Sequence, residues 1–304
     1  MKIAGLISLV MIFVTAAFAQ PLYPDYYDKA VVEEAVQQEK NTGASLLRLH
    51  FHNCFVNGCD ASLVLDSTPH FVNEKFATPN DNSARGFEII DRIKSEVDQA
   101  CGGTVVSCTD ILAVAARDFV VALGGPSWEV LLERRDATYA NITAANVDIP
   151  APSLDLTGLI ASFQNQGLDV NDLVAFSGGH TLGFAQCRFF RDRIYNDTNI
   201  DTEFQRQLQT ICPLDRGDAN LHSLDPTPAF LDTEHFRNIL AKRALLHSDQ
   251  ALLGSPETDG VVAAYRLSGD AFAKDFAISI MKMGNIKPLT GDQGQIRYNC
   301  RRVN

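Results

Sequence analysis

Helical periodicity constrains the fold of this chain more than any other feature. Apolar residues recur three and four positions apart along most of its 304 residues, and 46% of the residues are hydrophobic, which is enough to bury a large core. We therefore expect an all-α fold, in one domain or two lobes, with strands that are short and minor. The pattern predicts a loop over 136–153, Ser83 as the N-cap of the third helix, and helices over 31–40, 43–53, 84–100, 108–123, 154–165, 170–175, 179–195, 202–211, 233–244 and 269–283.

The first residues have the pattern of a secretion signal. A lysine precedes an apolar run over 3–14, and Ala17 and Ala19 are the small residues that signal peptidase requires. Cleavage of 1–19 would leave 20–304 as the mature chain, in which no segment is long and apolar enough to span a membrane. The alternative is a membrane anchor, but the apolar run is short for a bilayer span.

The chain is acidic, with a formal net charge of −11 at pH 7. An acidic surface repels nucleic acids and acidic polymers. Small neutral or cationic substrates are therefore expected, and a nucleic-acid partner is not.

Seven cysteines and two glycosylation sequons are typical of a secreted chain. Secreted cysteines are usually paired, and because seven is odd, at least one has no partner within the chain. The sequons begin at Asn141 and Asn196. They carry glycans on surface loops or remain unused.

Arg48 and His52 form the first candidate catalytic pair. They lie four residues apart within 46–54, so a helix places them on one face. A base beside a fixed cation can move a proton and stabilise developing negative charge. The alternative is the polar edge of an amphipathic helix.

Oxygen donors are concentrated directly after His52. Hard oxygen ligands on a tight loop suit calcium. The alternative is a polar turn closed by a disulfide between Cys54 and Cys59. The donors are the side chains of Asn53, Asp60 and Ser62 and the carbonyl groups of Val56 and Gly58.

His180 lies in a second candidate string, Ser-Gly-Gly-His-Thr over 177–181. A neutral imidazole can bind iron through one ring nitrogen while the other nitrogen donates to an acceptor. The alternative is a helix cap or a buried neutral side chain.

Together the two strings resemble the secretory plant haem peroxidases (class III). The sequence Arg-Leu-His-Phe-His-Asn-Cys-Phe-Val-Asn-Gly-Cys-Asp-Ala-Ser over 48–62 is similar to the distal haem helix and calcium loop of that family, and 177–183 is similar to its proximal histidine segment. The resemblance covers nearly all of the chain from Gln20 onward. It implies a two-lobed, all-α fold with haem b between distal and proximal parts.

The resemblance assigns roles to five polar residues. His52 would transfer protons, Arg48 would stabilise the departing negative charge, and Asn80 would hydrogen-bond His52 and keep it basic. His180 would bind the haem iron, and Asp249 would orient His180. The alternative for Asp249 is an ordinary loop aspartate.

The resemblance also assigns residues to the pocket wall. Phe51 would wall the pocket, and the Pro150 carbonyl would accept a hydrogen bond from a phenol at the substrate edge, with Phe189 nearby. The alternative for 149–152 is a simple rigid turn.

Two calcium ions are implied as well. Asn53 stands where the family has aspartate, so we expect the first site to bind calcium more weakly. The loop from Asp225 to Asp232 is one residue shorter than the family spacing, which would cost the second site a ligand if the loop slips. The first set is Asn53, Val56, Gly58, Asp60, Ser62 and, through a water, Glu74; the second is Thr181, Asp225, Thr227 and Asp232.

The resemblance breaks near 29–30, where roughly ten residues of the family's first helix are absent, nearly three helical turns. The missing piece includes a cysteine. A lost long-loop disulfide costs about 2–4 kcal/mol, so we expect a weaker fold with unaltered chemistry. Family pairing implies the disulfides Cys54–Cys59, Cys108–Cys300 and Cys187–Cys212, with Cys101 unpaired.

The resemblance thus implies a secreted, monomeric haem peroxidase of the cell wall, apoplast or vacuole. It would reduce hydrogen peroxide and oxidise small phenols in one-electron steps. The alternative is a non-catalytic extracellular calcium-binding protein, or a defective relative that does not retain haem because its first helix and one disulfide are incomplete.

Overall fold

The computed structural model describes residues 42–304. The secretion signal, the predicted helix over 31–40 and the break near 29–30 lie outside the described residues. None of the helices in the described range has the length and apolar character that crossing a membrane requires.

The described chain is helical apart from its loops and one two-stranded antiparallel sheet, as the periodicity predicts. In the sheet, β1 (Phe184–Gln186) pairs with β2 (Leu221–Ser223), and Ala185 lies opposite His222. Short 3₁₀ turns cover Ser62–Val64, Glu74–Phe76, Gly178–Thr181 and Cys187–Phe189. The helices are α1 (Thr42–Phe55), α2 (Phe87–Ala100), α3 (Cys108–Ala122), α4 (Ile142–Asp148), α5 (Leu156–Asn165), α6 (Val170–Ser177), α7 (Arg191–Asn196), α8 (Thr202–Ile211), α9 (Glu234–Leu240), α10 (His247–Gln250), α11 (Pro256–Leu267) and α12 (Gly269–Met283).

Helix α1 lies between two parts of the hydrophobic core. Leu46 and Leu49 pack with buried residues of α2 and α3, whereas Leu47 packs with buried residues of α5, α6 and α12. Since leucines at helical spacing bury both flanks of α1, the helix is held firmly in position. The remaining face of α1 carries Arg48 and His52, and this face lines a cavity.

Helix α3 is buried along most of its length, as its apolar sequence predicts. The Ser107 hydroxyl caps it by accepting a hydrogen bond from the N–H of Asp110. The Asp136 carboxylate accepts hydrogen bonds from the backbone N–H groups of Cys108 and Arg297. The first turn of α3 is thereby fixed to two loops that are distant in sequence.

The predicted start of the third helix at Ala84, with Ser83 as its N-cap, is wrong. Helix α2 begins at Phe87 because Gly86 before it has a φ of 90°, in the left-handed region that glycine adopts readily. The Ser83 hydroxyl donates instead to the carbonyl oxygen of Pro79. Ser83 therefore stabilises the loop before the helix.

The continuous helix predicted over 179–195 is also wrong. Gly183 has a φ of 90°, and the chain passes from the turn Gly178–Thr181 through β1 and a second 3₁₀ turn before α7 begins at Arg191. His180 consequently lies in a short turn.

Three helices are not apparent from the periodicity: α4, the single turn α10 and α11. Helix α4 lies inside the predicted loop and is capped by Asn141, whose side-chain oxygen accepts a hydrogen bond from the N–H of Ala144. Helix α11 has Ser255 as its N-cap and Pro256 in its first turn, together with two acidic residues. These are recognised signals of a helix start, so α11 was open to prediction.

Helices α8 and α12 have the predicted bounds, 202–211 and 269–283. Helix α9, predicted to reach 244, ends at Leu240. Lys242 just beyond it has a φ of 58°, which a continuing helix does not allow.

The three expected disulfides are confirmed, and Cys101 is free. Cys101 is half-buried and follows directly after α2. One unpaired thiol therefore accounts for the odd number of cysteines. The pairs are Cys54–Cys59, Cys108–Cys300, which are 192 residues apart, and Cys187–Cys212.

Candidate active site

A cavity of about 470 Å³ lies between α1 and the segment that follows α6. Its lining is mainly apolar, and its volume is in the range of small-molecule and cofactor pockets. Arg48 and His52 enter the cavity from α1, and His180 enters it from the turn Gly178–Thr181. The two strings singled out in the sequence thus meet in one space.

Asn80 holds His52 in one tautomer. The Asn80 Nδ2 donates to the carbonyl oxygen of Glu74 at 2.9 Å, so Asn80 Oδ1 is the atom that lies 2.6 Å from His52 Nδ1. Nδ1 must then carry the ring hydrogen, because an amide oxygen only accepts. The lone pair of His52 Nε2 accepts a hydrogen bond from Arg48 Nε at 3.2 Å. His52 is therefore arranged as a base.

The surroundings of His52 keep it neutral. Burial lowers its pKa well below 6.5, and the charges of Arg48 and His180 lower the pKa further. The hydrogen bond to Asn80 opposes them and raises the pKa. Asn80 is thus the neighbour that favours proton uptake by this ring.

Arg48 provides a fixed positive charge beside the base. Burial, with a contribution from Arg188, lowers its pKa to about 10, so the guanidinium remains charged at neutral pH. It donates to the carbonyl oxygens of Pro79 and Ser83 at 2.5 and 3.1 Å. These bonds fix its direction.

His180 is paired with a buried carboxylate. Its Nδ1 lies 2.8 Å from Asp249 Oδ1, and 42% of its side chain is exposed. Burial lowers the pKa of His180, but the charge and hydrogen bond of Asp249 outweigh burial and raise it. Burial raises the pKa of Asp249, yet the charges of His180 and His235 and hydrogen bonds from His180 and Ser177 bring it below its usual value. Asp249 is thus ionised, and Nε2 of His180 is left for a ligand.

Ser177 and His235 extend this pair. Ser177 Oγ lies 3.0 Å from Asp249 Oδ1 and 2.9 Å from His235 Nε2. His235 is only 1% exposed on α9, and burial lowers its pKa to about 4, against the charge of Asp249. Sequence reasoning missed His235 because no local motif marks it and its partner is 58 residues away.

Phe51, Pro150 and Phe189 all line the same cavity. The ring of Phe51 stacks on that of Phe55 with centroids 4.1 Å apart, and it also contacts the ring of Phe163. Aromatic packing therefore fixes the orientation of Phe51.

The distal oxygen cluster consists of Asn53 in the last turn of α1 and of Asp60, Ser62 and Glu74 after that helix. Both polar side-chain atoms of Asn53 and the Oε2 of Glu74 are buried without a hydrogen-bond partner. Burial raises the pKa of Asp60 to about 6 and that of Glu74 to about 7. The Ser62 hydroxyl lowers both pKa values without making a well-directed hydrogen bond. Buried oxygen atoms left in this state are costly unless a cation compensates, so the cluster fits calcium.

The proximal oxygen cluster consists of Thr181, Asp225, Thr227 and Asp232. The Thr181 hydroxyl lies 2.6 Å from Asp225 Oδ2 and 3.0 Å from Asp232 Oδ1, and the Thr227 hydroxyl donates to Asp225 Oδ1 at 3.2 Å. Burial raises the pKa of Asp225 to about 6, and Asp232 contributes. All four predicted donors therefore lie together.

Neither cluster is a metal site made of side-chain anions alone. Within residues 42–304, no three His, Cys, Asp or Glu side chains converge in a way that would hold a metal ion. A cation at either cluster would also need amide, hydroxyl and carbonyl oxygens. The carbonyls predicted for the distal cluster lie at one turn, where the N–H of Gly58 donates to the Val56 carbonyl at 2.8 Å.

Comparisons with known proteins agree with this geometry. The sequence model of the family described as "Peroxidase" matches residues 28–268. Peroxidase RIP1 of Medicago truncatula is 55% identical over 297 residues, covering 93% of this chain and 91% of that protein. Peroxidase 70 of Zea mays is 55% identical over 279 residues, covering 91% and 87%. Peroxidase 2 of Oryza sativa subsp. indica is 50% identical over 313 residues, covering 99% and 98%.

The fold and the site define a class of protein, a helical enzyme in which two histidines face one cavity of cofactor size. The chain belongs to the peroxidase family, and within it to the plant class III peroxidases. It is a peroxidase, and nothing in these similarities favours a non-catalytic extracellular protein. The rice alignment has nine more positions than this chain has residues, so it includes gaps in this chain.

Proposed function

We propose that the cavity holds haem b and that the enzyme reduces hydrogen peroxide with electrons from small phenols. One observation carries the proposal: a neutral His52 beside cationic Arg48 shares a cavity with His180, which is paired with Asp249. A base, a fixed cation and a polarised imidazole are the groups that this chemistry needs.

The lining of the cavity fits haem. His180 would bind the iron through Nε2, because Asp249 occupies its Nδ1. Phe51 and the other apolar side chains would contact the macrocycle. Bound haem would supply the redox chemistry, which gives two electrons to peroxide and recovers them singly from two phenol molecules.

His52 moves the proton in the peroxide step. Its Nε2 accepts the proton of one peroxide oxygen and returns it to the other, so that water leaves. Its Nδ1–H remains hydrogen-bonded to Asn80, and this hydrogen bond stabilises the transient imidazolium. Arg48 donates toward the same nitrogen, and its charge stabilises the departing oxygen.

Phenolic donors would bind at the edge formed by Pro150 and Phe189. The Pro150 carbonyl accepts the hydrogen bond of the phenol hydroxyl, and Phe189 provides an aromatic surface beside it. Both residues line the cavity, which supports this assignment.

We assign one calcium ion to each oxygen cluster. At the distal cluster, the amide of Asn53 without hydrogen bonds supports a cation ligand, and Val56 and Gly58 would add carbonyl oxygens. At the proximal cluster, two carboxylates directed at the Thr181 hydroxyl support a second ion. Both ions would stiffen the loops that carry the site.

We further propose that the mature chain is 20–304 and that it is secreted as a monomer to the cell wall, apoplast or vacuole after removal of 1–19. Exposed Asn196 is available for a glycan. The break near 29–30 is supported by the gaps that the rice alignment requires, and its position rests on the resemblance.

Reconstitution tests the proposed function. The secreted, calcium-supplemented protein is loaded with haem, and its absorption spectrum is recorded before and after one equivalent of hydrogen peroxide, then with a phenol. We expect a stoichiometric haem band that changes with peroxide and recovers with the phenol. His52→Leu should keep the band and lose about 10²-fold or more in the rate of the peroxide step. The control is His222→Leu, on β2 outside the cavity lining.

A missing haem band in the unaltered protein, or an unchanged peroxide rate in His52→Leu, would contradict the proposal. The first result would favour a relative that has lost its cofactor. The second would remove His52 from the acid–base role.

A further inference from the structure

His235 is a buried histidine that the proposed function does not use. It lies beside the cavity, and its ring meets that of His180 nearly edge-on, with centroids 6.0 Å apart. Buried histidines usually satisfy their ring nitrogens within the fold. Among the described residues, His235 forms its hydrogen bond with the Ser177 hydroxyl, which lies 2.9 Å from Nε2, and the same nitrogen lies 3.8 Å from Asp249 Oδ1.

The direction of this hydrogen bond follows from counting hydrogens. Asp249 Oδ1 accepts from Ser177 Oγ at 3.0 Å, and an ionised carboxylate can only accept. The single hydroxyl hydrogen of Ser177 is therefore used on Asp249. Ser177 Oγ must then accept from His235, whose Nε2 carries the ring hydrogen.

The result is a chain of donors that ends on the oxygen used by His180. His235 donates to Ser177, Ser177 donates to Asp249 Oδ1, and His180 Nδ1 donates to the same Oδ1 at 2.8 Å. Hydrogen bonds in such a chain polarise one another, so a donor to Ser177 strengthens the bond from Ser177 to Asp249. Two donors on one oxygen compete for its electron density. The hydrogen bond from His180 Nδ1 to Asp249 is therefore weaker than it would be if His180 were the only donor to that oxygen.

We propose that His235 is a positioning residue which, through Ser177, weakens the hold of Asp249 on His180 and so raises the reduction potential of haem bound at His180. A weaker pull on the Nδ1 hydrogen makes His180 a poorer electron donor to iron, and a poorer donor favours the reduced metal. The inference rests on the proposed function, because it needs haem on His180.

Variants at two positions test the chain of donors. His235→Phe keeps a ring in the buried site but removes the donor, and Ser177→Ala removes the hydroxyl that connects His235 to Asp249. His235→Gln keeps an N–H donor and serves as the rescue variant. The double variant closes a cycle, which measures the coupling between the two positions. His222→Phe is the matched control, since His222 lies on β2 outside the cavity lining.

The readouts are the ferric–ferrous midpoint potential and the iron–imidazole stretching frequency of each haem-loaded protein. We expect a lower potential and a higher frequency in His235→Phe and Ser177→Ala. The potential should fall by about 59 mV or more, a tenfold change in a one-electron equilibrium. The double variant should fall no further than Ser177→Ala, because both changes act through one hydrogen bond. His235→Gln should stay close to the unaltered enzyme.

The outcomes separate the two claims. Haem-loaded variants with unchanged potential and frequency, or additive shifts in the double variant, would overturn the role of His235 and leave the proposed function intact. An unaltered protein that binds no haem would overturn both. A shift of the potential in His222→Phe as large as that in His235→Phe would show that the loss of any histidine has this effect, and it would overturn the role of His235.

Discussion

Glu74 and Asn80 connect the acid–base histidine to the distal oxygen cluster. The backbone carbonyl of Glu74 accepts from Asn80 Nδ2 at 2.9 Å, while Oε1 of the same residue accepts from the N–H of Asn141 at 2.9 Å. Its Oε2 is buried without a partner. A change in the cluster that moves Glu74 would therefore be transmitted through Asn80 to the ring of His52.

Removal of the Asn80 amide should slow the peroxide step without loss of haem. In Asn80→Val, His52 loses the acceptor that fixes its tautomer and raises its pKa. A hydrogen bond of this kind contributes about 1–1.5 kcal/mol, so the rate constant should fall about tenfold. Stopped-flow absorption measures it. Asn80→Asp, which keeps an acceptor oxygen, should recover part of the rate; a Val variant as fast as the unaltered enzyme would contradict the role of Asn80.

A carboxylate at position 53 in place of Asn53 should raise the stability of the fold with calcium and lower it without calcium. In Asn53→Asp, the added charge should tighten calcium binding about tenfold, which adds about 1.4 kcal/mol of stability at saturating calcium. Without calcium, the new charge beside buried Asp60 and Glu74 should destabilise the fold. Thermal unfolding with calcium and with a chelator measures both effects.

The control for this change is Asn299→Asp, because Asn299 is exposed and its side-chain oxygen, which accepts from the N–H of Arg301, is kept in aspartate. It should leave both melting temperatures nearly unchanged. Equal melting behaviour of Asn53→Asp and Asn299→Asp in calcium would count against a cation at the distal oxygen cluster.

Buried His50 should make the fold sensitive to acid. Burial lowers its pKa from 6.5 to about 3, and the charge of Arg134 contributes. Between these values the unfolded chain binds a proton that the folded chain does not, so stability falls as the pH falls. The loss is about 2 kcal/mol between about pH 6.5 and pH 5.

Denaturant unfolding at these two pH values measures the effect of His50. In His50→Gln, the difference in unfolding free energy between them should shrink by about 2 kcal/mol. His70→Gln, at an exposed histidine, should preserve the difference. An unchanged pH dependence in His50→Gln would show that other groups cause the acid sensitivity.

Local signals gave the bounds of two capped helices but missed α4 and α11, although Asn141 and Ser255 cap them. Helices α8 and α12 match their predicted bounds because Asp201 and Ser268 cap them. The wrong start of α2 and the wrong continuous helix over 179–195 come from contacts across the fold. A Cβ on Gly86 would lie 2.8 Å from the Leu46 side chain, and one on Gly183 would lie 2.9 Å from that of Ala44. Both glycines lie against α1, which no local window reveals.

In the candidate site, too, local signals predicted some residues and missed those that depend on contacts across the fold. Helical spacing alone placed Arg48 and His52 on one face, but their meeting with His180 followed from the family resemblance, because sequence separation gives no distance. Ser177 was noted only as part of a string, and His235 was missed. Both act through contacts between helices that pattern reasoning does not see.

The disulfide between Cys108 and Cys300 has a consequence for how the protein is made. It joins residues 192 positions apart, and Arg297 nearby donates its backbone N–H to Asp136 and a side-chain hydrogen bond to the carbonyl of Ala61, beside the distal oxygen cluster. A ribosome delivers these residues long after α1 and α3 have emerged. The half of the enzyme that moves the proton is therefore complete only after the segment around Cys300, which is synthesised late, has joined it.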